Sequence, residues 1–224
     1  KKDVFGYVYG QINRTLSLRD HLLRITGTSI NLTVFLVGHE PNYGGWFNAF
    51  DTRQIQTAID IMRELYAQVG IGVRRLYWRY IPTAEATGYW AVDGGEATDL
   101  TEEFSGPNED SLDVFYVNLV TDAGGWSTVD GSCDKNSRGR TGAVIEVKPS
   151  TFFSGNEANR NLWAGILLAH EVAHYLGLPG GNDPTNLMGD TAVGGVDQIF
   201  LTSINISTDQ GDIMRDHCFI QPPC

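Results

Sequence analysis

The segment HEVAH at positions 170–174 decides how this sequence is interpreted, because it places two histidines four residues apart with a glutamate between them. It falls in the second half of a helix predicted over residues 156–176. Residues four apart on a helix share one face, so the imidazoles of His170 and His174 can reach one ion. Glu171 is turned by about 100° from His170 and can reach a water on that ion rather than the ion itself.

This arrangement is the one that zinc-dependent hydrolysis needs. Two neutral imidazoles hold Zn²⁺, the ion lowers the pKa of its water, and a carboxylate takes the proton and later delivers it to a leaving amine. The alternative is a structural His–Glu–His cluster on an amphipathic helix, but a chance HExxH is rare in a chain with 5 histidines. We therefore predict His170 and His174 as metal ligands, Glu171 as the catalytic residue and Zn²⁺ as the cofactor.

The composition limits the other functions. The chain has 224 residues, a net charge of −11 and 42% hydrophobic residues, which suits one folded domain with a real core. The acidic balance argues against a nucleic-acid partner and against docking on an anionic membrane. No apolar segment approaches the roughly 18 residues that span a bilayer. Peptide or protein substrates are the expected partners, and a monomer is expected.

Apolar segments before the motif predict an α/β arrangement. Residues 30–37 and 73–81 are β-branched and apolar, as in buried strands. Between them, a three- and four-residue apolar spacing predicts a helix capped by Asp51 and closed by Gly70. A strand–helix–strand order implies a parallel pair with a right-handed crossover.

The remaining segments complete a domain of about five strands and three helices. A long loop is predicted over 82–111, strands over 112–120 and 141–147, a short edge strand within 122–129, and a last helix over 208–217. The last helix has a start signature in Ser207 and Gln210.

The motif also resembles a known family. HEVAHYLGLP at 170–179 resembles the extended signature of the metzincin zinc endopeptidases, in which a glycine, here Gly177, lets the chain turn sharply after the helix. The segment 186–189, NLMG, resembles the Met-turn of that family, with Met188 beneath the metal site.

The resemblance implies a fold and an activity. The expected fold is α/β (α+β), a metzincin-like zincin with a twisted, mostly parallel sheet of about five strands, an active-site helix and a smaller C-terminal subdomain. Residues 1–224 would form one catalytic domain, with an N-terminal subdomain of about 30–177 and a C-terminal subdomain of 178–224. The implied activity is that of a secreted zinc metalloendopeptidase.

The third metal ligand of that family is missing from its place. It should stand three residues after Gly177, where this sequence has Gly180. Asp183 is one candidate, since a carboxylate is an acceptable zinc ligand. Otherwise the ion is held by the two histidines with waters or a distant group such as His217, or the ligand is lost and the protein is a catalytically silent binding module.

Three further features of the sequence carry expectations. The acidic segment 93–113 offers oxygen ligands for a structural Ca²⁺, although it lacks the spacing of the twelve-residue calcium loop, which favours a solvated acidic surface. Cys133, Cys218 and Cys224 allow one disulfide with three pairings. The acidic balance and the low charge content favour a secreted, extracellular protein whose leader has already been removed.

Overall fold

A mostly parallel sheet forms the centre of the protein. The computed structural model describes residues 27–41, 44–106, 110–121, 123–137, 141–147, 156–189 and 199–223. Cys224 and the first residue of the predicted edge segment, Asp122, lie outside the described residues. The six strands of the main sheet are β1 (Thr28–Val37), β2 (Ile71–Ile81), β4 (Leu112–Val117), β6 (Gly125–Ser127), β7 (Ala143–Glu146) and β8 (Ile220–Gln221). A small second sheet pairs β3 (Ala91–Val92) with β5 (Leu119–Val120).

The strand order is β2-β1-β4-β7-β6, and β8 pairs with the start of β1. The β1, β2, β4 and β7 pairings are parallel, whereas β6 is antiparallel to β7 at one end of the order. The fold class predicted from the sequence is therefore confirmed. The parallel β1–β2 pair is also as predicted.

Helix α1 (Ala49–Tyr66) forms the crossover between β1 and β2. Its cap is Asn48, whose side chain accepts hydrogen bonds from the backbone of Phe50 and Asp51, while the Asp51 carboxylate accepts the Asn48 N–H at 2.9 Å. The predicted cap at Asp51 is thus wrong by three residues, because Asp51 is the last member of a capping box rather than the first. The predicted end at Gly70 is confirmed by its φ of +75°.

The expectation of a loop over 82–111 is wrong in its middle. Helix α2 (Gly94–Glu103) starts at Asp93, whose side chain accepts from Gly95 and Glu96. Its apolar side is buried through Ala97 and Leu100. The Asp93-x-x-Glu96 pattern indicates the start of this helix, but the two glycines that follow Asp93 are typical of a loop and favoured that interpretation.

Two apolar cores lie on opposite faces of the sheet because side chains alternate along each strand. Along β1, Ile30 and Leu32 enter the core that α1 and the motif helix cover, whereas Phe35 and Val37 enter the core that contains α2 residues. Phe35 stacks on Phe115 of β4, with ring centroids 4.6 Å apart. No helix in the described ranges is long and apolar enough to cross a membrane.

The C-terminal part returns to the main sheet. Helix α4 (Thr208–Arg215) begins at Ser207 with Gln210 completing a capping box, as predicted, and it ends two residues before the expected His217. A disulfide joins Cys133 to Cys218 and so resolves the pairing that the sequence left open.

A buried carboxyl at the end of β7 gives the fold a pH dependence. Burial raises the pKa of Glu146 from its ordinary 4.5 to about 7, and its Oε2 accepts the Val120 N–H at 3.2 Å. Between pH 4.5 and 7 the Glu146 carboxyl ionises in the unfolded chain but stays protonated in the folded chain. The free energy of unfolding therefore falls as the pH rises through this range. Glu146→Gln keeps an acceptor for the Val120 N–H but does not ionise. We therefore expect the melting temperature of this variant, relative to that of the wild type, to rise by about 2–4 °C or more between pH 4.5 and pH 8. An equal difference in melting temperature between variant and wild type at the two pH values would contradict this.

Candidate metal centre

Helix α3 (Glu157–Tyr175) carries the HEVAH motif, close to the predicted bounds of 156–176. Asn156 caps it by accepting the Asn159 N–H at 3.1 Å. Gly165 lets α3 lie close against α1, since a Cβ at this position would come within 2.5 Å of Ile61. The Tyr66 hydroxyl of α1 donates to the Ala169 carbonyl at 2.8 Å, one residue before the motif.

The two histidines of the motif are held in one tautomer. Their ring centroids are 4.4 Å apart and their planes are nearly perpendicular, at 88°. His170 Nδ1 lies 2.7 Å from the Leu187 carbonyl oxygen, and His174 Nδ1 lies 2.7 Å from the Leu178 carbonyl oxygen. A carbonyl only accepts, so both Nδ1 atoms donate, and the lone pair of each ring is then on Nε2. This pattern is typical of metal-binding histidines, whose other ring nitrogen is oriented by a carbonyl or carboxylate.

Glu171 is buried beside the edge strand. Burial raises the pKa of its carboxyl to about 8, which makes proton exchange near neutral pH accessible to it. Gly125 of β6 gives this side chain its room, since a Cβ there would lie 2.6 Å from Glu171 Cγ and 2.9 Å from Oε1. Gly125 cannot be identified from the sequence, because nothing local in it shows that β6 passes beside Glu171.

A methyl group at Gly125 should therefore displace the carboxylate. A displacement of about 1 Å can cost about 10²-fold in rate, and we expect Gly125→Ala to lower kcat by that order while the metal content stays unchanged. Ser127→Ala on the same strand is the matched control and should retain activity. A Gly125→Ala protein with wild-type kcat would show that the contact is not needed.

The chain turns after α3 as the motif predicts. Gly177 has a φ of +103°, in the left-handed region that favours glycine. Met188 is buried, and its carbonyl accepts the Gly181 N–H at 2.7 Å, which fixes the loop against the NLMG segment. A cavity of about 330 Å³ lies here, and it is bordered by the loop 178–183, Met188 and α4.

Asp183 lies in an exposed turn. Its Oδ1 accepts hydrogen bonds from the backbone and the hydroxyl of Thr185, at 2.9 and 2.8 Å, and these bonds lower the pKa of its carboxyl. In the described part of the chain, the group of three ligand-type side chains within 4.8 Å of one another is Cys133, His217 and Cys218. Asp183 is thus not grouped with the two histidines, and its role as third ligand remains a prediction.

The group around His217 is not a metal site, because its two cysteines form the disulfide. His217 Nε2 lies 3.0 Å from the Gly131 carbonyl oxygen, and its ring packs against Tyr175 at 5.6 Å. This contact joins the C-terminal part to the end of α3. The structure therefore gives His217 a structural environment rather than a place beside His170 and His174.

The acidic segment 93–113 serves local structure. Asp93 caps α2, Glu103 accepts the Tyr89 hydroxyl at 2.8 Å, and Asp113 forms a buried 2.8 Å ion pair with Lys135. Its described residues, 93–106 and 110–113, contribute no group of three ligand side chains. The expectation of a structural calcium ion has no support.

Two solved structures with a similar fold are named as an archaemetzincin and a metalloproteinase. Archaemetzincin from Methanopyrus kandleri matches with a TM-score of 0.51 and 13% identity over 84% of this chain and 95% of that one. Metalloproteinase-II from Bacteroides fragilis matches with a TM-score of 0.50 and 13% identity over 84% of this chain. The fold is metallopeptidase-like. This chain spans about half of the Bacteroides protein, 53% of its length. No protein-family model matches the chain, and no curated protein matches it in sequence.

Proposed function

We propose that this protein is a secreted, metzincin-like zinc endopeptidase with His170 and His174 as metal ligands and Glu171 as general base and acid. One observation carries the proposal: both motif histidines donate from Nδ1 to backbone carbonyls at 2.7 Å, which leaves the lone pair of each neutral ring on Nε2. The metallopeptidase-like fold, shared with an archaemetzincin and a metalloproteinase, supports it.

The residues present suit zinc, because neutral imidazole is a preferred ligand of this ion. When bound, Zn²⁺ polarises a peptide carbonyl and lowers the pKa of a water molecule. Glu171, as carboxylate, accepts the proton of the attacking water on an oxygen of its side chain. The same oxygen then donates the proton to the leaving nitrogen.

The edge strand β6 gives an extended substrate a place to bind. It is antiparallel to β7 on one side and stands last in the strand order of the described residues. An extended peptide that adds to its other side makes main-chain hydrogen bonds regardless of sequence. Because Gly125 lies against Glu171, a peptide bound along this edge would run close to the proposed catalytic carboxylate.

Secretion is supported by the disulfide between Cys133 and Cys218. Disulfides form and persist in oxidising compartments and are rare in the cytosol. The net charge of −11 supports a protein substrate rather than a nucleic acid or an anionic membrane.

Metal-dependent peptide hydrolysis tests the proposal. Protein purified without chelators should contain near-stoichiometric zinc and cleave unstructured peptides, and 1,10-phenanthroline should abolish this cleavage until zinc is restored. A persistently metal-free, inactive protein favours the second candidate, a catalytically silent binding module. Gly180 motivates that candidate, because it stands where the third ligand of the metzincins would be.

Substitution at Gly180 shows whether the centre lacks a ligand. We expect Gly180→His to raise zinc affinity at least roughly tenfold, since even residues behind the ligands change affinity 10–100-fold. Gly180→Ala is the matched control for the backbone change, and competition with a chromogenic chelator measures both. If Gly180→His leaves the affinity unchanged while Asp183→Ala empties the site, Asp183 is the third ligand.

A further inference from the structure

We infer that Asn186 and Gln210 are positioning residues for the metal ligand His170, which they reach through a single peptide unit. This inference rests on the metal site of the proposed function and does not depend on peptidase activity. It starts from the peptide between Leu187 and Met188, which is held at both ends. Its carbonyl oxygen accepts from His170 Nδ1 at 2.7 Å, and its N–H donates to Asn186 Oδ1 at 2.9 Å.

The rotation of this peptide unit determines whether His170 Nδ1 can donate to the Leu187 carbonyl oxygen. A peptide is planar, so turning its N–H away from Asn186 turns the Leu187 carbonyl away from the imidazole by the same angle. Leu187 is fully buried, and its own N–H donates to the Asn205 carbonyl at 2.7 Å. The Asn186 amide is therefore the group that sets the orientation of the acceptor behind His170.

The Asn186 amide is in turn oriented by Gln210 of α4. The two side chains form a reciprocal pair: Asn186 Nδ2 donates to Gln210 Oε1 and Gln210 Nε2 donates to Asn186 Oδ1, both at 2.9 Å. A flip of Asn186 alone would place an NH₂ group against the Met188 N–H and against Gln210 Nε2, two donors. Only one orientation of Asn186 satisfies all three bonds.

The Gln210 orientation is fixed by the helix start. Its Oε1 also accepts the Ser207 N–H at 2.9 Å, so an NH₂ group in that position would meet a donor. A continuous polar path thus leads from the first turn of α4 through two amides and one peptide to a metal ligand. Hydrogen bonds in such a chain polarise one another, which strengthens the final bond to His170.

Ser207 offers a control that separates positioning from stability. Its hydroxyl accepts the Gln210 N–H at 3.2 Å and caps α4, but it does not contact the amide pair. Ser207→Ala therefore weakens the helix while it leaves the Gln210 and Asn186 side chains paired.

Cobalt binding to the full chain tests the inference, with Co²⁺ as a spectroscopic probe of the zinc site. We expect Asn186→Leu to weaken Co²⁺ affinity about 10–100-fold, as residues behind metal ligands do, and Gln210→Met to weaken it about 5–10-fold. The double variant should match Asn186→Leu, because Gln210 acts through Asn186. Ser207→Ala should change the Co²⁺ affinity less than twofold. The melting temperature should nevertheless fall by a similar amount in Ser207→Ala and in Gln210→Met.

A second readout does not need the metal. In the metal-free wild type, long-range ¹H–¹⁵N spectra should show His170 protonated at Nδ1, and Asn186→Leu should shift it toward a mixture of tautomers. Wild-type affinity and tautomer in Asn186→Leu would overturn the inference, as would an affinity loss in Ser207→Ala equal to that in Gln210→Met. A wild type that binds no Co²⁺ overturns the metal centre and this inference together, whereas equal binding by all variants overturns this inference alone.

Discussion

Replacement of Glu171 by alanine is expected to lower kcat for peptide cleavage by about 10³-fold, within the 10²–10⁴-fold range for a general acid–base group. Glu171 is buried on the same helix as the two histidines, and it contacts the edge strand at Gly125. In the proposed mechanism, this carboxylate is the acceptor for the proton of the attacking water and the carboxyl is the donor to the leaving nitrogen. Steady-state kinetics on a quenched fluorescent peptide, with zinc content measured on the same sample, checks this result.

Two further variants separate the loss of the Glu171 carboxylate from other effects of the substitution. Glu171→Gln preserves the size of the side chain and should be as inactive as Glu171→Ala. Equal inactivity would show that neither a cavity nor a misfolded helix causes the loss of activity in Glu171→Ala. Glu157→Ala removes an exposed glutamate from the first turn of the same helix and should retain activity. Full activity in Glu171→Gln would refute the proposed mechanism.

Removal of the disulfide is expected to cost about 2–4 kcal/mol of unfolding free energy. Cys133 and Cys218 are 85 residues apart in sequence, so the bridge closes a long loop and restricts the unfolded chain. For a chain of this size, the loss corresponds to a melting temperature lower by roughly 4–16 °C. Thermal unfolding of the Cys133→Ser, Cys218→Ser double variant measures it.

The same bridge holds the end of α3. Next to Cys133, Asp130 N–H donates to the His174 carbonyl at 3.0 Å and Gly131 N–H donates to the Tyr175 carbonyl at 2.8 Å, which satisfies carbonyls in the last turn of the helix. The double variant should therefore also bind zinc more weakly. The wild type in reductant should behave like the variant, whereas the variant should not respond to reductant. Equal melting temperatures for the oxidised wild type and the variant would contradict the prediction.

Several elements could be predicted because their signals are local. The helix α3 and its stop at Gly177 follow from apolar periodicity and from a glycine that takes a φ of +103°. The start of α4 at Ser207 follows from a capping box read in the sequence. The start of α1 was predicted three residues late, because Asp51 both ends the box that begins at Asn48 and matches the start of a second one, Asp51 to Gln54. Helix α2 was not predicted, because the two glycines after Asp93 are typical of a loop.

The contacts around the motif could not be predicted because they join distant segments. Gly125 touches Glu171 across 46 residues of sequence, and Asn186 pairs with Gln210 across 24. Nothing in the local composition of these residues distinguishes them from ordinary turn or helix positions.

The sequence by itself determined that two imidazoles and a carboxylate lie on one helix, with the imidazoles on one face because a spacing of four residues fixes a shared face whatever surrounds it. It also determined the parallel α/β class, through apolar strands and helices that alternate along the chain. Only the tertiary structure decided which ring nitrogens of His170 and His174 carry the proton and which glycine leaves room for Glu171. Those features depend on backbone carbonyls and strands that reach the motif only when the chain is folded.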